Sequence, residues 1–149
     1  MKTTAYQIAV FAALSIAALG SQAESKTTTI KVDVDKIKNA TGMMACALFN
    51  VADGFPDVQA KSFQYVYVSI NSGLANCEFK EVAAGTYAVS VFHDENDNKK
   101  LDQNFVGVPL EGYGVSNNIR HMMSAPGFKE SSFQLNGEVD KNIKIRMGY

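Results

Sequence analysis

Oxygen-bearing side chains recur at alternate positions of one short stretch, residues 94–102. A hard cation such as calcium prefers six to eight oxygen ligands, and a tight turn lets alternate side chains converge on it. The oxygens fall at positions 1, 3, 5 and 9 of a calcium-binding loop, with a backbone carbonyl at position 7. The spacing therefore predicts a calcium site. Its ligands would be Asp94, Asn96, Asn98, the carbonyl of Lys100, and Asp102.

Two positions depart from that pattern. Lys99 stands at position 6, where glycine usually makes the sharp turn, and Phe105 stands at position 12, where a glutamate usually binds. Further ligands would then come from Asp97, Asn104, Glu111 or water. The alternative interpretation is a turn rich in Asp and Asn, whose side chains accept hydrogen bonds from nearby backbone amides.

The same stretch contains several carboxylates and follows a histidine, a composition also found in catalytic sites. His93 adjoins Asp94, but neighbours on a strand point to opposite sides, so their adjacency does not make a dyad. Ser116 does not lie in the G-x-S-x-G context of a nucleophile elbow. We therefore predict a non-enzymatic protein without catalytic residues. A carbohydrate-active or other hydrolase that uses the loop carboxylates is the alternative.

A long segment without a predicted strand, residues 93–127, surrounds these groups. Connections longer than about 12–15 residues are usually functional or disordered. Apolar side chains among glycines predict an ordered, packed loop here. They are Leu101, Phe105, Val106, Val108, Leu110, Tyr113, Val115 and Ile119. We expect this loop to recognise an unknown protein or saccharide at the cell envelope. The residues expected to contact the ligand are His93, Glu111, Tyr113, Ser116, Asn117 and Asn118.

Period-two alternation of apolar and polar residues dominates the rest of the chain. It predicts no long amphipathic helix and an all-β fold, an about seven-stranded Greek-key β-sandwich. A small outer-membrane β-barrel is the alternative, which the mostly short strands disfavour. The predicted strands cover residues 27–34, 43–50, 63–70, 76–80, 85–92, 131–135 and 139–149.

The N-terminal residues have the pattern of a cleavable signal peptide. Lys2 provides a positive charge, residues 8–19 form an uncharged apolar run, and small residues precede Glu24. This run is shorter than the about 20 residues that span a bilayer, and no transmembrane segment is expected after cleavage. We therefore expect residues 1–23 to be removed, residues 24–149 to form one domain, and the protein to be periplasmic or secreted.

Two cysteines, Cys46 and Cys77, follow the predicted cleavage site. An even number of cysteines in an exported protein favours a disulfide. Each lies among alternating apolar residues, so both thiols should point inward. A bridge that closes a loop of about 30 residues would stabilise the fold by about 3–4 kcal/mol. Two buried free thiols are the alternative, and a zinc site would lack ligands.

The charges of the chain are nearly balanced, with 14 basic and 15 acidic residues and a formal net charge of −1. Nucleic-acid and anionic membrane partners require a basic patch, and nothing in this charge balance points to one. We therefore expect no nucleic-acid partner.

Several motifs occur in an order and spacing typical of one bacterial family. Residues 85–89 (GTYAV), 93–96 (HDEN), 101–102 (LD) and 107–118 (GVPLEGYGVSNN) resemble the family known as domain of unknown function 2141. The resemblance extends over nearly the whole mature chain. It implies an exported sandwich of transthyretin-like or carboxypeptidase-regulatory-like type with no assigned activity. Where the family commonly has Asn-Gly, this chain has Asn98-Lys99.

Overall fold

The structure, a computed structural model, describes residues 26–149. The predicted signal peptide, residues 1–23, lies outside the described residues. The described chain consists mainly of β-strands in two sheets, which confirms the all-β sandwich that the alternation predicts. The strands are β1 (Thr27–Asp35), β2 (Met43–Phe49), β3 (Gln64–Val68), β4 (Ala75–Ala83), β5 (Gly85–Asp94), β6 (Tyr113–Val115), β7 (Phe133–Leu135) and β8 (Asp140–Arg146).

One sheet has the strand order β4-β1-β8, and the other has the order β3-β2-β5-β6, with β7 paired to the start of β5. The strand pairs are antiparallel except for β1 and β8, which pair in parallel and lie side by side. The described chain thus has eight strands, where the alternation predicts about seven. The Greek-key connection stays a prediction.

The core lies between the two sheets and follows from the period-two alternation. In β1, the side chains of Ile30, Val32 and Val34 are buried, whereas Lys31 and Asp33 between them are exposed. Burying each such apolar side chain contributes roughly 1.5–3 kcal/mol. The alternating pattern therefore determines which face of the strand packs inward.

A disulfide joins Cys46 of β2 to Cys77 of β4, so it links the two sheets through the core. Both residues are buried, and 31 positions separate them in the sequence. The disulfide predicted from the cysteine count and the inward alternation is confirmed. In the chain-entropy model, a bridge across a loop of this length contributes about 3–4 kcal/mol.

The segment predicted as one loop, residues 93–127, contains strand residues. β5 extends to Asp94, and β6 pairs with β5 inside the segment. Three residues, one of them glycine, are too few to show an alternation, so β6 has no pattern in the sequence. A Cβ at Gly114 would lie 2.7 Å from the side chain of Ile145 in β8. Glycine at this position therefore lets β6 pack closely against the last strand.

Helical structure is limited to short turns in the described chain. These are two 3₁₀ turns, at Gln59–Lys61 and Ser116–Asn118, and one α-helical turn, α1 (Phe128–Ser131). The alternation likewise predicts no long amphipathic helix. Among residues 26–149, no helix is long and apolar enough to cross a membrane.

Candidate functional site

The acidic stretch of residues 94–102 forms a tight turn that starts at the end of β5, and we call it the acidic turn. Asp94, its first residue, is completely buried. Its Oδ1 accepts a hydrogen bond from the N–H of Asn98 at 3.0 Å, and its Oδ2 accepts one from the N–H of Lys99 at 3.0 Å. Both oxygens of this carboxylate thus hold the backbone of the turn from the inside.

The other predicted calcium ligands lie around Asp102. The Nδ2 groups of Asn96 and Asn98 donate to its two carboxylate oxygens at 2.7 and 2.9 Å. The Oδ1 of Asn96 accepts from the N–H of Asn98, and the Oδ1 of Asn98 accepts from the N–H of Lys100. The structure therefore brings the predicted side chains together. It also contains the backbone-capping bonds of the alternative interpretation.

Two residues of the acidic turn have left-handed backbone angles. Asp97 has a φ of 58° and Lys99 a φ of 65°. Lysine thus has the backbone conformation that glycine usually provides at this position of a calcium loop. The ammonium group of Lys99 pairs with Asp97 and lies 4.5 Å from the ring centre of Tyr67. The hydrogen bond with Asp97 raises the pKa of Lys99. These contacts hold the side chain on the outside of the turn.

Glu111 closes the acidic turn from the far end of the loop. It is only 7% exposed. Its Oε1 accepts the N–H of Glu95 at 2.8 Å, and its Oε2 accepts the N–H of Asp102 at 3.0 Å. One buried carboxylate therefore ties the two ends of the turn together. No local signal in the sequence marks this role, because the bonded partners are 16 and 9 positions away.

His93, predicted as a recognition residue, is completely buried beside the acidic turn. Its Nε2 lies 2.7 Å from the carbonyl oxygen of Thr41, and its Nδ1 lies 2.9 Å from the hydroxyl of Tyr149. A carbonyl oxygen can only accept, so Nε2 carries a proton, and in the neutral imidazole Nδ1 then accepts from Tyr149. That hydroxyl accepts from the N–H of Lys38 at 3.0 Å, and burial raises the pKa of Tyr149. The imidazole thus connects the end of β5 to the segments before β2 and after β8.

Four other residues predicted to contact a ligand form bonds within the protein. The hydroxyl of Ser116 accepts from the N–H of Val89 at 2.9 Å. Asn117 and Asn118 have left-handed backbone angles, and their side chains bond backbone groups around α1 and along β8, respectively. Tyr113 is half-buried and pairs with the segment after β8. These residues connect β5, β6, α1 and β8, and their contact with a ligand stays a prediction.

Beyond the acidic turn, residues 103–110 project as a short hairpin. The side chain of Asn104 shapes its bend, because its Oδ1 accepts the N–H groups of Val106 and Val108 at 3.0 Å each. The prediction that the apolar side chains of the loop pack inward is wrong for four of them, since buried carboxylates take the inner positions. These four residues, which we call the apolar tip, are Phe105 (100% exposed), Val106 (66%), Val108 (55%) and Leu110 (68%).

A cleft of about 460 Å³ opens between the acidic turn and the segment before β3. Its two walls are far apart in the sequence, so no local pattern predicts it. Residues lining the cleft include Phe92 and Leu101, Lys99 and Lys100, and Gln59 and Gln103. Ionisable residues of the loop that lie outside this lining include His93, Asp94, Asp102 and Glu111.

The acidic turn offers few charged ligands for a metal ion. Within residues 26–149, no group of three or more His, Cys, Asp or Glu side chains is arranged to hold one. The predicted calcium ligands include two carboxylates, Asp94 and Asp102, and two amides, Asn96 and Asn98. Calcium binding stays a prediction, and this low ligand charge indicates a weak site.

Comparison with known proteins identifies a family and no activity. A family model described as "Uncharacterized protein conserved in bacteria (DUF2141)" matches residues 32–144. The matched range runs from β1 into β8 and includes the acidic turn, the apolar tip and the cleft. The match confirms the resemblance seen in the sequence motifs. No curated protein and no solved structure matches the chain.

Proposed function

The chain belongs to the bacterial DUF2141 family of uncharacterised proteins. Since the family has no assigned activity, we propose a function from the structure of the loop between β5 and β6. The protein is a non-enzymatic binding module of the cell envelope. It presents the loop between β5 and β6, residues 95–112, to a partner protein. The observation that carries this proposal is the apolar tip, with four large apolar side chains exposed on one projecting hairpin.

The hairpin that bears the apolar tip is ordered by its own hydrogen bonds. The N–H of Asn104 donates to the carbonyl of Val108, and the N–H of Gly107 donates to the carbonyl of Asn104, both at 2.9 Å. An ordered backbone loses less conformational entropy on binding than a flexible one. Clustered exposed apolar side chains are typical of interaction sites, and aromatic residues such as Phe105 are enriched in interface cores. These properties support a protein partner.

The ionisable groups of the loop support binding rather than catalysis. Asp94 and Glu111 each use both carboxylate oxygens on backbone N–H groups. His93 uses both ring nitrogens in hydrogen bonds within the protein. General acid–base catalysis requires such a group within reach of a substrate proton. A hydrolase of the alternative kind would need two carboxylates facing each other across a cleft, whereas the lining of the cleft described above includes a single carboxylate, that of Asp57.

Export is part of the proposal, with the protein in the periplasm or secreted. The signal-peptide pattern of residues 1–23 supports it. The disulfide between Cys46 and Cys77 is typical of an oxidising compartment. N-terminal sequencing of the protein from its own cells should give Glu24 as the first residue, in the periplasmic or culture fraction. Uncleaved protein recovered from the cytoplasm would contradict export.

Photo-crosslinking tests the partner-binding role in intact cells of the source organism. We expect p-benzoyl-phenylalanine in place of Phe105 to give a discrete crosslinked protein band, because this side chain is fully exposed. Lys80 of β4 is the matched control position, since its side chain is 71% exposed but lies on the other sheet. No band at position 105, or the same bands at both positions, would contradict the proposal.

Weak calcium binding by the acidic turn is a second proposal. The side chains of Asn96, Asn98 and Asp102 already converge in one turn, and calcium would require both amides to rotate, because their nitrogen atoms, not their oxygens, face Asp102. Lys99 also makes the bend that glycine usually makes. Two carboxylates provide little ligand charge, so we expect a dissociation constant in the weak range of about 10⁻⁴–10⁻³ M. Calcium would then stabilise a turn that Glu111 already closes.

A further inference from the structure

We propose that the cleft beside the acidic turn binds a small acidic sugar, a ring with one carboxylate and several hydroxyl groups, such as a uronate. This ligand site is separate from the apolar tip and goes beyond the partner-binding role. The cleft volume of about 460 Å³ lies within the range of about 300–1,000 Å³ that is typical of small-molecule sites. A single sugar ring fits a cleft of this size.

The cleft combines apolar surface with polar groups. Phe92 of β5 and Leu101 of the acidic turn contribute side chains to its lining. A sugar ring has C–H faces that pack against apolar side chains and hydroxyl groups at its edge that need hydrogen-bonding partners. The apolar pair therefore suits the face of the ring.

Two side-chain amides, of Gln59 and Gln103, suit its hydroxyl groups. The Oε1 of Gln59 accepts from the hydroxyl of Tyr67 at 2.7 Å, whereas its Nε2 is buried without an acceptor among residues 26–149. The Nε2 of Gln103 reaches Asp57 only at 3.4 Å. An amide both donates and accepts, as a hydroxyl does, so the two groups are complementary. A sugar oxygen would satisfy the buried Nε2 of Gln59 once the side chain turned toward the cleft on binding.

The charges of the cleft favour a ligand with one negative charge. Lys99, Lys100 and a single carboxylate, Asp57, line it. Lys99 pairs with Asp97, whereas Lys100 makes no ion pair in the described part of the chain. The guanidinium forks that usually hold a phosphate dianion are absent from the described lining. Two ammonium groups and one carboxylate leave the lining with an excess of one positive charge, which matches one sugar carboxylate.

Titration of the purified protein, followed by ¹H–¹⁵N NMR, compares three probes. D-glucuronate has both the carboxylate and the hydroxyl groups, D-glucose lacks the carboxylate, and acetate lacks the hydroxyl groups. We expect glucuronate to shift the amide signals of Phe92 and of residues 99–103 with a Kd of about 1 mM, a usual affinity for so small a ligand. We expect glucose and acetate to bind at least about tenfold more weakly.

Two variants assign the contacts. Lys100→Gln should weaken glucuronate binding about tenfold, to the level of glucose, and leave glucose binding unchanged. Gln103→Leu should weaken the binding of both sugars. Lys80→Gln, on the other sheet, is the charge-matched control and should change neither titration. Thermal melting of each variant checks that it is folded.

Three results would overturn the proposal. The first is the absence of shifted amide signals at about 20 mM glucuronate, which is about twenty times the expected Kd. The second is equal affinity for acetate and glucuronate, and the third is unchanged glucuronate affinity in Lys100→Gln. Phe105→Ser should leave the sugar titration unchanged, because Phe105 does not line the cleft. Failure of the sugar site and failure of the partner-binding role can therefore be distinguished.

Discussion

The base and the tip of the β5–β6 loop differ in which side chains they bury. At the base, Asp94 and Glu111 are buried and accept four backbone N–H groups between them. At the tip, Phe105 is fully exposed and Val106 is two-thirds exposed. A loop held by apolar packing would show the opposite distribution.

The side chains that order the loop are therefore different from those that the loop offers for binding. Hydrogen bonds to a charged group contribute about 1.5–3 kcal/mol each, and a donor left unsatisfied in the interior is costly. Exposed apolar side chains contribute little to the fold, because they remain in contact with water. The base therefore holds the loop and leaves the apolar tip exposed, as the proposed partner-binding role requires.

The strongest test of this comparison is Glu111→Ala at the base. It leaves the N–H groups of Glu95 and Asp102 without their acceptor, so we expect the free energy of unfolding to fall by about 3 kcal/mol. Glu111→Gln retains one acceptor oxygen and should lose about half as much. Urea denaturation measures both changes.

Asp97→Asn is the matched control, because Asp97 belongs to the same turn but has a 62% exposed side chain, and asparagine tolerates its left-handed backbone angle. Its ion pair with Lys99 is a surface contact, so we expect a change within about 0.5 kcal/mol. Equal losses for Asp97→Asn and Glu111→Ala would show that the buried carboxylate has no special role.

The strands of this protein could be predicted because their cause is local. In β1, Ile30, Val32 and Val34 alternate with polar residues, and such a pattern fits only a strand with one buried face. The disulfide could be predicted for the same reason, since Cys46 and Cys77 both lie on inward positions. Burial that follows from a periodic pattern is visible in the sequence.

The candidate site could be predicted only in part. The convergence of Asn96 and Asn98 on Asp102 follows from their spacing in one tight turn. The clamp by Glu111 and the exposure of Phe105 do not, because both depend on how the far end of the loop returns to β5. Composition indicates that a loop contains apolar residues, but not whether they pack or project.

Tyr149→Phe tests the hydrogen bond between Tyr149 and the buried His93, beside the base of the loop. The ring keeps its contact with the imidazole of His93, but Nδ1 loses its hydrogen-bond donor, so we expect a loss of about 1.5 kcal/mol in urea denaturation. A fall in the free energy of unfolding of less than about 0.5 kcal/mol would show that the hydrogen bond from Tyr149 to His93 contributes little.

The free energy of unfolding at alkaline pH provides a second test of the Tyr149 hydroxyl. Burial raises the pKa of Tyr149 above its ordinary value, so its contribution is present below about pH 10 and is lost as the pH rises through the folded-state pKa. We expect stability to decline less steeply above about pH 10 in Tyr149→Phe than in the wild type. Identical alkaline profiles would contradict this assignment.

Calcium should stabilise the base of the loop and leave the apolar tip unchanged. At about 1 mM calcium and a Kd of about 10⁻⁴–10⁻³ M, we expect a stabilisation of about 0.4–1.4 kcal/mol, measured as a rise in melting temperature that chelator reverses. Asp102→Asn removes one of the two carboxylates and should abolish the difference. Identical melting temperatures with calcium and with chelator would show that hydrogen bonds alone order the acidic turn.

Polar substitutions at the tip should have the smallest effect on stability. We expect the triple variant Phe105→Ser, Val106→Ser, Val108→Thr to unfold within about 0.5 kcal/mol of the wild type, because these side chains are exposed. The same variant, with the crosslinker moved to Leu110, should lose the partner band. A loss of about 2 kcal/mol or more would show that the tip packs against the protein.

Native-state hydrogen exchange compares the base and the tip in one measurement. With chelator present, we expect slow exchange at the four N–H groups that Asp94 and Glu111 accept, those of Glu95, Asn98, Lys99 and Asp102. We expect fast exchange at Phe105 in the exposed tip. Exchange at the four base amides as fast as at Phe105 would contradict the claim that buried carboxylates hold this loop.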